Sequence, residues 1–309
     1  MPIDEGEMAM GAPELAVAWE QERVNGVWAM MAGVLAMQGV ADIDADTLKA
    51  FHAVVPDGVV IEPVVYGTGS GRDLSGLLAR PADATTTGDR PAVVLVHGGG
   101  WMSGHAAMHR RHAAFLAAQG YVALTINYRL AQEAEWPACR DDVVSALRWL
   151  RGRDDLGVDP ARVGLTGGSA GGHLAAMVAA TGGDDAPAAV VLWYPVADLK
   201  MTAVPEPIRS ALGGVVDEMV GTTDAEKDAA SPAVHVTGAH PPVLTLVGDA
   251  DHITPASAAA DLHRRYDEVG VVNELVVLPG LVHGFEAHPA EWGWSYERMQ
   301  AFFDANLGR

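Results

Sequence analysis

Residues 165–177 read LTGGSAGGHLAAM: one serine stands between two pairs of glycines, directly after an apolar run and directly before a helical one. Glycine weakens both strands and helices, so such a cluster persists only where the backbone must do something unusual. RVGLTG reads as the end of a buried strand and SAGGHLAAM as the start of a helix. Gly167-Gly168-Ser169-Ala170-Gly171 therefore matches G-x-S-x-G in a strand–turn–helix setting. A turn that tight forces its middle residue into strained dihedrals and lifts the side chain clear of the sheet. Bulk two places before or after would collide with neighbouring backbone, so glycine stands in both places. The Ser169 hydroxyl would lie at a helix N-terminus, where the dipole favours developing negative charge. The plainer reading is an ordinary N-cap serine.

Outward from this turn, strand and helix patterns alternate. AVVLVHGGGW (92–101), YVALTINYRL (121–130), AAVVLWYP (188–195), PVLTLVGD (242–249) and ELVVLPG (274–280) read as strands. HAAMHRRHAAFLAAQG (105–120), WPACRDDVVSALRWLRGR (136–153), ASAAADLHRRYDEVG (256–270) and WGWSYERMQAFFDANL (292–307) read as helices. The strands are mostly continuous apolar runs, as expected when both faces of a sheet are covered. This predicts an α/β fold with a mostly parallel sheet and helices on both sides. VVIEPVVYG and LSGLLARP read as a hairpin at its start, and TTTGDRP (85–91) as a loop. Residues 1–55 read as an N-terminal helical cap, with Trp19, Trp28, Met30, Met31 and Met37 at helical spacing. Residues 56–309 form the expected catalytic domain, with a cap insertion at about 198–240.

Composition narrows the function classes. The 309 residues are 49% hydrophobic and 19% charged, which suits a large core. The formal net charge of -20 repels phosphate backbones and anionic lipid heads, so nucleic-acid and membrane partners are not expected. The single cysteine, Cys139, excludes an internal disulfide and a cysteine-based metal site. MPIDEGEMAM lacks a basic n-region, and the apolar run 27–37 is too short to span a bilayer. A soluble, cytoplasmic protein is expected.

His97-Gly98-Gly99-Gly100-Trp101 follows the first long buried strand. Consecutive N–H groups in such a loop can point at the oxygen of a tetrahedral intermediate. The N–H groups of Gly99, Gly100 and Ala170 are the expected donors. A serine hydroxyl needs a base, and a base needs an acid to hold its tautomer. His283 follows the last strand and Asp251 the one before it, so both belong to loops at the carboxyl edge of the sheet. The chain order Ser169, Asp251, His283 is the order expected of this arrangement. Asp249 is a rival for the acid. His252 reads as a loop histidine that points elsewhere, and His173 as a packing residue. His105, His109 and His112 share one helix face, a spacing that can bind zinc. With Arg110 and Arg111 beside them and no acidic or cysteine ligand, they read instead as a solvated face.

HGGGW, GGSAGGHLA, the G-x-x-D run at 248–251 and HGF at 283–285 resemble α/β-hydrolase esterases of the hormone-sensitive-lipase-like group. YRL (128–130) and YPVADL (194–199) resemble that group's scaffold segments, and the likeness runs from about residue 60 to the C-terminus. The group commonly has aspartate immediately before the nucleophile, where Gly168 stands here. That departure is similar to the acetyl-esterase, feruloyl-esterase and kynurenine-formamidase-like branches. The resemblance implies a serine carboxylesterase acting on small short- to medium-chain or aryl esters. It implies neither metal nor organic cofactor, and leaves self-association into a homo-oligomer open. Two alternatives stand beside it: an arylformamidase, amidase or acyltransferase using the same triad, and a non-catalytic ligand receptor on the same fold.

Overall fold

The expected buried strands assemble into one sheet. In the computed structural model, residues 12–84, 88–206 and 208–308 are described, with side chains from residue 23 onward. The segment MPIDEGEMAM, the Trp19 side chain and residues 85–87 of the expected loop lie outside the described residues. The strands are β1 (Val59–Gly69), β2 (Arg72–Pro81), β3 (Arg90–Val96), β4 (Val122–Ile126), β5 (Val158–Gly168), β6 (Val190–Trp193), β7 (Val243–Gly248) and β8 (Asn273–Leu278). Their order across the sheet is β1-β2-β4-β3-β5-β6-β7-β8. β1 pairs antiparallel with β2 and β2 with β4; every later pairing is parallel.

Side chains alternate across β3: Ala92, Val94 and Val96 enter one core, and Val93 and Leu95 the other. The first core packs under α4 (Ala138–Arg151), α5 (Ala170–Thr181) and α8 (Ala256–Glu268), through residues such as Leu147, Leu174 and Tyr266. The second packs under α3 (Arg110–Ala118) and α9 (Pro289–Asn306), through Leu116, Tyr296 and Phe303. Burial of the sheet on both sides is why its central strands carry few polar residues. This is the α/β-hydrolase architecture, with an open sheet.

Two helical pieces lie outside these layers. α1 (Ala12–Met37) and α2 (Ala45–His52) share a small apolar cluster of their own, with Trp28, Leu35 and Leu48 fully or nearly buried. α2 starts where Asp44 accepts the Thr47 N–H at 2.8 Å. α6 (Ile208–Val220) and α7 (Asp224–Ala229) occupy the connection between β6 and β7.

The sheet order also decides where a ligand fits. After β3 the chain turns to β4 on one side; from β5 onward it proceeds on the other. Such a reversal opens a crevice at the carboxyl ends of the two central strands. Val96 pairs with Gly167 in the ladder, so the HGGGW loop and the serine turn leave the sheet side by side.

Candidate active site

β5 ends at Gly168 and α5 begins at Ala170, leaving Ser169 alone in the turn. Its φ of 55° and ψ of -119° are strained for a residue with a side chain. The hydroxyl makes no capping hydrogen bond, which removes the N-cap reading. The neighbouring glycines follow from sterics. A Cβ at Gly167 would stand 2.4 Å from Gly171 O, and one at Gly171 only 2.1 Å from Val96 O. Nothing larger than hydrogen fits at either position.

The loop after β3 presses onto this turn. A Cβ at Gly98 would lie 3.0 Å from Gly168 O and 3.3 Å from Ser169 Cβ. Gly99 and Gly100 take φ values of 116° and 59°, which turn the loop back on itself. Among the described residues, no backbone carbonyl takes up the N–H of Gly99, Gly100 or Ala170. Trp101 Nε1–H donates to His173 Nδ1 at 3.2 Å, and His173 Nε2 lies 2.7 Å from Ala230 O. Those partners assign the proton to Nε2. Burial pulls the His173 pKa down to about 4, so the ring stays neutral. The loop, helix α5 and the segment after α7 are thus tied by one imidazole.

Asp251 and His283 meet from the loops after β7 and β8. His283 Nδ1 lies 2.8 Å from Asp251 Oδ2, and Asp251 is only 3% exposed. Oδ1 of the same carboxylate accepts the N–H groups of Ile253 and Thr254, both at 2.8 Å. Burial alone would raise this carboxyl. The imidazole beside it and the two N–H donors outweigh burial, and its pKa falls below the ordinary value. The Thr254 hydroxyl sits 2.9 Å from Asp251 Oδ2 and 3.0 Å from both His283 Nδ1 and Tyr194 O, bracing the pair against the end of β6. The rival Asp249 is engaged elsewhere: its carboxylate accepts the Gly280 N–H at 2.6 Å.

Ser169, Gly98, Gly99, Gly100, Ala170 and His283 all border one cavity of about 860 Å³. Trp28, Met30, Met31 and Val34 of α1 form one apolar wall, and Ile208, Leu212 and Val215 of α6 another. His252 is an exposed loop residue that also borders this cavity.

The expected solvated histidine face is corrected. His105 and His109 are each 5% exposed and His112 1%. His105 caps a short 3-10 turn, and only from Arg110 does the helix become α. His109 Nδ1 approaches His112 Nδ1 at 3.2 Å, and the His112 ring packs 5.2 Å from His52 of α2 and 4.2 Å from Tyr296 of α9. The face is solvated only if its helix is taken alone; α2 and α9 cover it. Among the described residues no three His, Cys, Asp or Glu side chains are placed to hold a metal ion.

Sequence reasoning missed Tyr194, Glu286 and Gln38. The Tyr194 hydroxyl donates to Glu286 Oε2, and its ring lies 4.2 Å from the His283 ring. A Cβ at Gly168 would approach that hydroxyl to 3.2 Å, a tight contact directly before Ser169. Burial pushes the Glu286 carboxyl above the ordinary glutamate value. An acid directly after HGF was the available signal. Gln38 had none.

Fold and site together define an α/β-hydrolase with a serine-centred crevice. The BD-FAE family profile matches residues 79–266, and the chain belongs to that family. It is 33% identical over 221 residues to esterase LipC of Mycobacterium tuberculosis, covering 63% of this chain and 53% of LipC. It is 33% identical over 216 residues to carboxylesterase NlhH of the same species, covering 63% of this chain and 66% of NlhH. The match thus spans between about half and two thirds of these relatives. Among solved structures it is similar to Thermogutta terrifontis esterase 2 phosphonylated by sarin. The TM-score is 0.72 and the identity 28%, covering 81% of this chain and 96% of that one. No helix among the described residues is long and apolar enough to cross a membrane.

Proposed function

We propose that the protein is a serine carboxylesterase that acts on uncharged, largely apolar esters of short to medium acyl chain or with an aryl group. The observation that carries this reading is the buried 2.8 Å pair of Asp251 and His283 opening into the same cavity as the strained Ser169. Ser169 Oγ attacks the ester carbonyl carbon while His283 Nε2 takes its proton. Asp251 holds the other imidazole proton on Nδ1 and stabilises the cation that forms. The carbonyl oxygen becomes an oxyanion and accepts hydrogen bonds from the N–H groups of Gly99, Gly100 and Ala170. Each such donor contributes about 3 kcal/mol to the transition state. Collapse expels the alcohol, which takes the proton back from His283. Water then repeats the sequence on the acyl-serine, releasing the acid and restoring the hydroxyl.

The apolar walls support this substrate class, because a charged acyl or alcohol group would lose its hydration there without replacement. Methionines on α1 suit walls that adapt to more than one ligand shape. In this reading, α1 and α2 together with the 198–240 segment form a two-part cap over the 56–309 catalytic domain. The enzyme needs no cofactor and works in the cytoplasm, where a lone buried Cys139 stays reduced.

The test is a panel of nitrophenyl esters, with matched amides, offered to the wild type and to Ser169→Ala. Ester turnover in the wild type and loss of at least about 1,000-fold in the variant are expected. Equal rates in the two proteins would remove the assignment, and faster cleavage of the amides would move it to an amidase.

A further inference from the structure

Helix α1 reaches past the cavity wall and grips the loop that carries the proposed base. Gln38 follows its last residue. Gln38 Nε2 donates to His283 O at 3.0 Å, and the His283 N–H donates back to Gln38 Oε1 at 2.8 Å. The second Nε2 hydrogen goes to Val34 O at 3.0 Å, within the same helix. Both donors and the acceptor of the amide are therefore used, and the network leaves one orientation: flipping the amide would set NH2 against an N–H. Among the described residues, His283 has no other backbone hydrogen bond. The peptide of the base is held from a helix 245 residues away in sequence. A second contact runs from α1 to the loop after β3, where Ser103 Oγ lies 2.9 Å from Met30 Sδ and 3.0 Å from Gly99 O.

We propose that Gln38 is a positioning residue for His283, so that α1 sets the geometry of the base as well as the shape of the pocket. This rests on the esterase reading above. Asp251 restrains only Nδ1, one end of the ring. The far nitrogen, which must face Ser169, swings if the peptide beneath it shifts. Reacting groups lose about 100-fold in rate for a misplacement near 1 Å. A wall residue would act on substrate affinity; a clamp on the base acts on turnover.

The test compares wild type with Gln38→Met, which keeps length and removes both bonds, and Gln38→Glu, which keeps an acceptor for the His283 N–H. Lys49→Ala is the control, because it removes the 2.7 Å bond from α2 to Asn25 of α1 without touching the base loop. Three readouts are taken on proteins shown to be folded by circular dichroism: kcat and KM on a nitrophenyl ester, the rate of fluorophosphonate labelling at Ser169, and hydrogen exchange of the His283 amide. Gln38→Met is expected to lose about 10- to 100-fold in kcat and in labelling rate, with KM within about twofold and His283 amide protection lost. Gln38→Glu is expected to fall between it and wild type, and serves alone if the methionine variant does not fold. Lys49→Ala is expected to keep kcat within about twofold. Wild-type kcat and amide protection in Gln38→Met overturn the proposal; so does an equal loss in Lys49→Ala, which would mean that any loosening of α1 suffices. A wild type that neither turns over esters nor takes the label defeats the esterase reading, while the amide exchange still decides whether the clamp exists.

Discussion

The serine turn and helix α1 approach the same cavity and hold their groups by opposite means. At the turn the backbone does the holding: glycines at 167 and 171 let chain segments pack closer than any Cβ permits, the tightest approach being 2.1 Å from a Cβ at 171 to Val96 O. At α1 the holding is by side chains, through Gln38 on His283 and Met30 on Ser103. Contacts made by excluded volume leave no room to vary, whereas contacts made by long side chains can shift with small adjustments of a helix. Ser169 is thus set rigidly, and His283 is set partly by a segment that also shapes the pocket.

The sharpest way to break this contrast is at the acid. Asp251→Asn keeps the shape of the buried pair but favours the wrong imidazole tautomer, and should lower kcat by about 10,000-fold with little change in KM. Steady-state kinetics on a nitrophenyl ester would show it; a loss below about tenfold would mean that another group orients His283. A smaller effect is expected on the backbone-held side. His173→Phe fills a similar volume but deprives Trp101 Nε1–H of its acceptor, and kcat should fall about 10- to 100-fold as the donor loop loosens. His173→Asn, able to accept a hydrogen bond, should recover part of the loss. No recovery, with both variants folded, would assign His173 to packing alone.

The mildest effect concerns the seam beneath α2. Burial lowers His52 to about 4 and His109 to about 3, so both are neutral in the folded protein near neutral pH. Unfolded histidines titrate near about 6.5, so as pH falls the unfolded chain binds these protons first. Stability is therefore complete above about pH 6.5 and is lost progressively down toward pH 3–4, by up to about 1.4 kcal/mol per pH unit for each such group. Thermal midpoints followed by circular dichroism should drop between pH 7 and pH 5, and His52→Phe should flatten that slope. An unchanged slope would place the acid sensitivity in other groups.

Ser169, Asp251 and His283 could be proposed together from the sequence because each follows an apolar run that reads as a strand, and strand ends of a parallel sheet share one edge. The glycines were readable for a related reason: a residue without a side chain marks where backbone comes close. The face of His105, His109 and His112 was misread because its surroundings come from α2 and α9, far along the chain. Gln38 left no local trace, since its partner lies 245 residues away; the Tyr194–Glu286 pair left only the acid after HGF, its partner lying 92 residues away.

Local order along the chain determined the alternating elements and the strained turn, because periodicity and glycine placement act over a few residues. The tertiary structure decided which acid meets the His283 imidazole, which histidines are dry and which residue pairs with the His283 backbone. Those outcomes depend on distances between elements that no short stretch of sequence encodes.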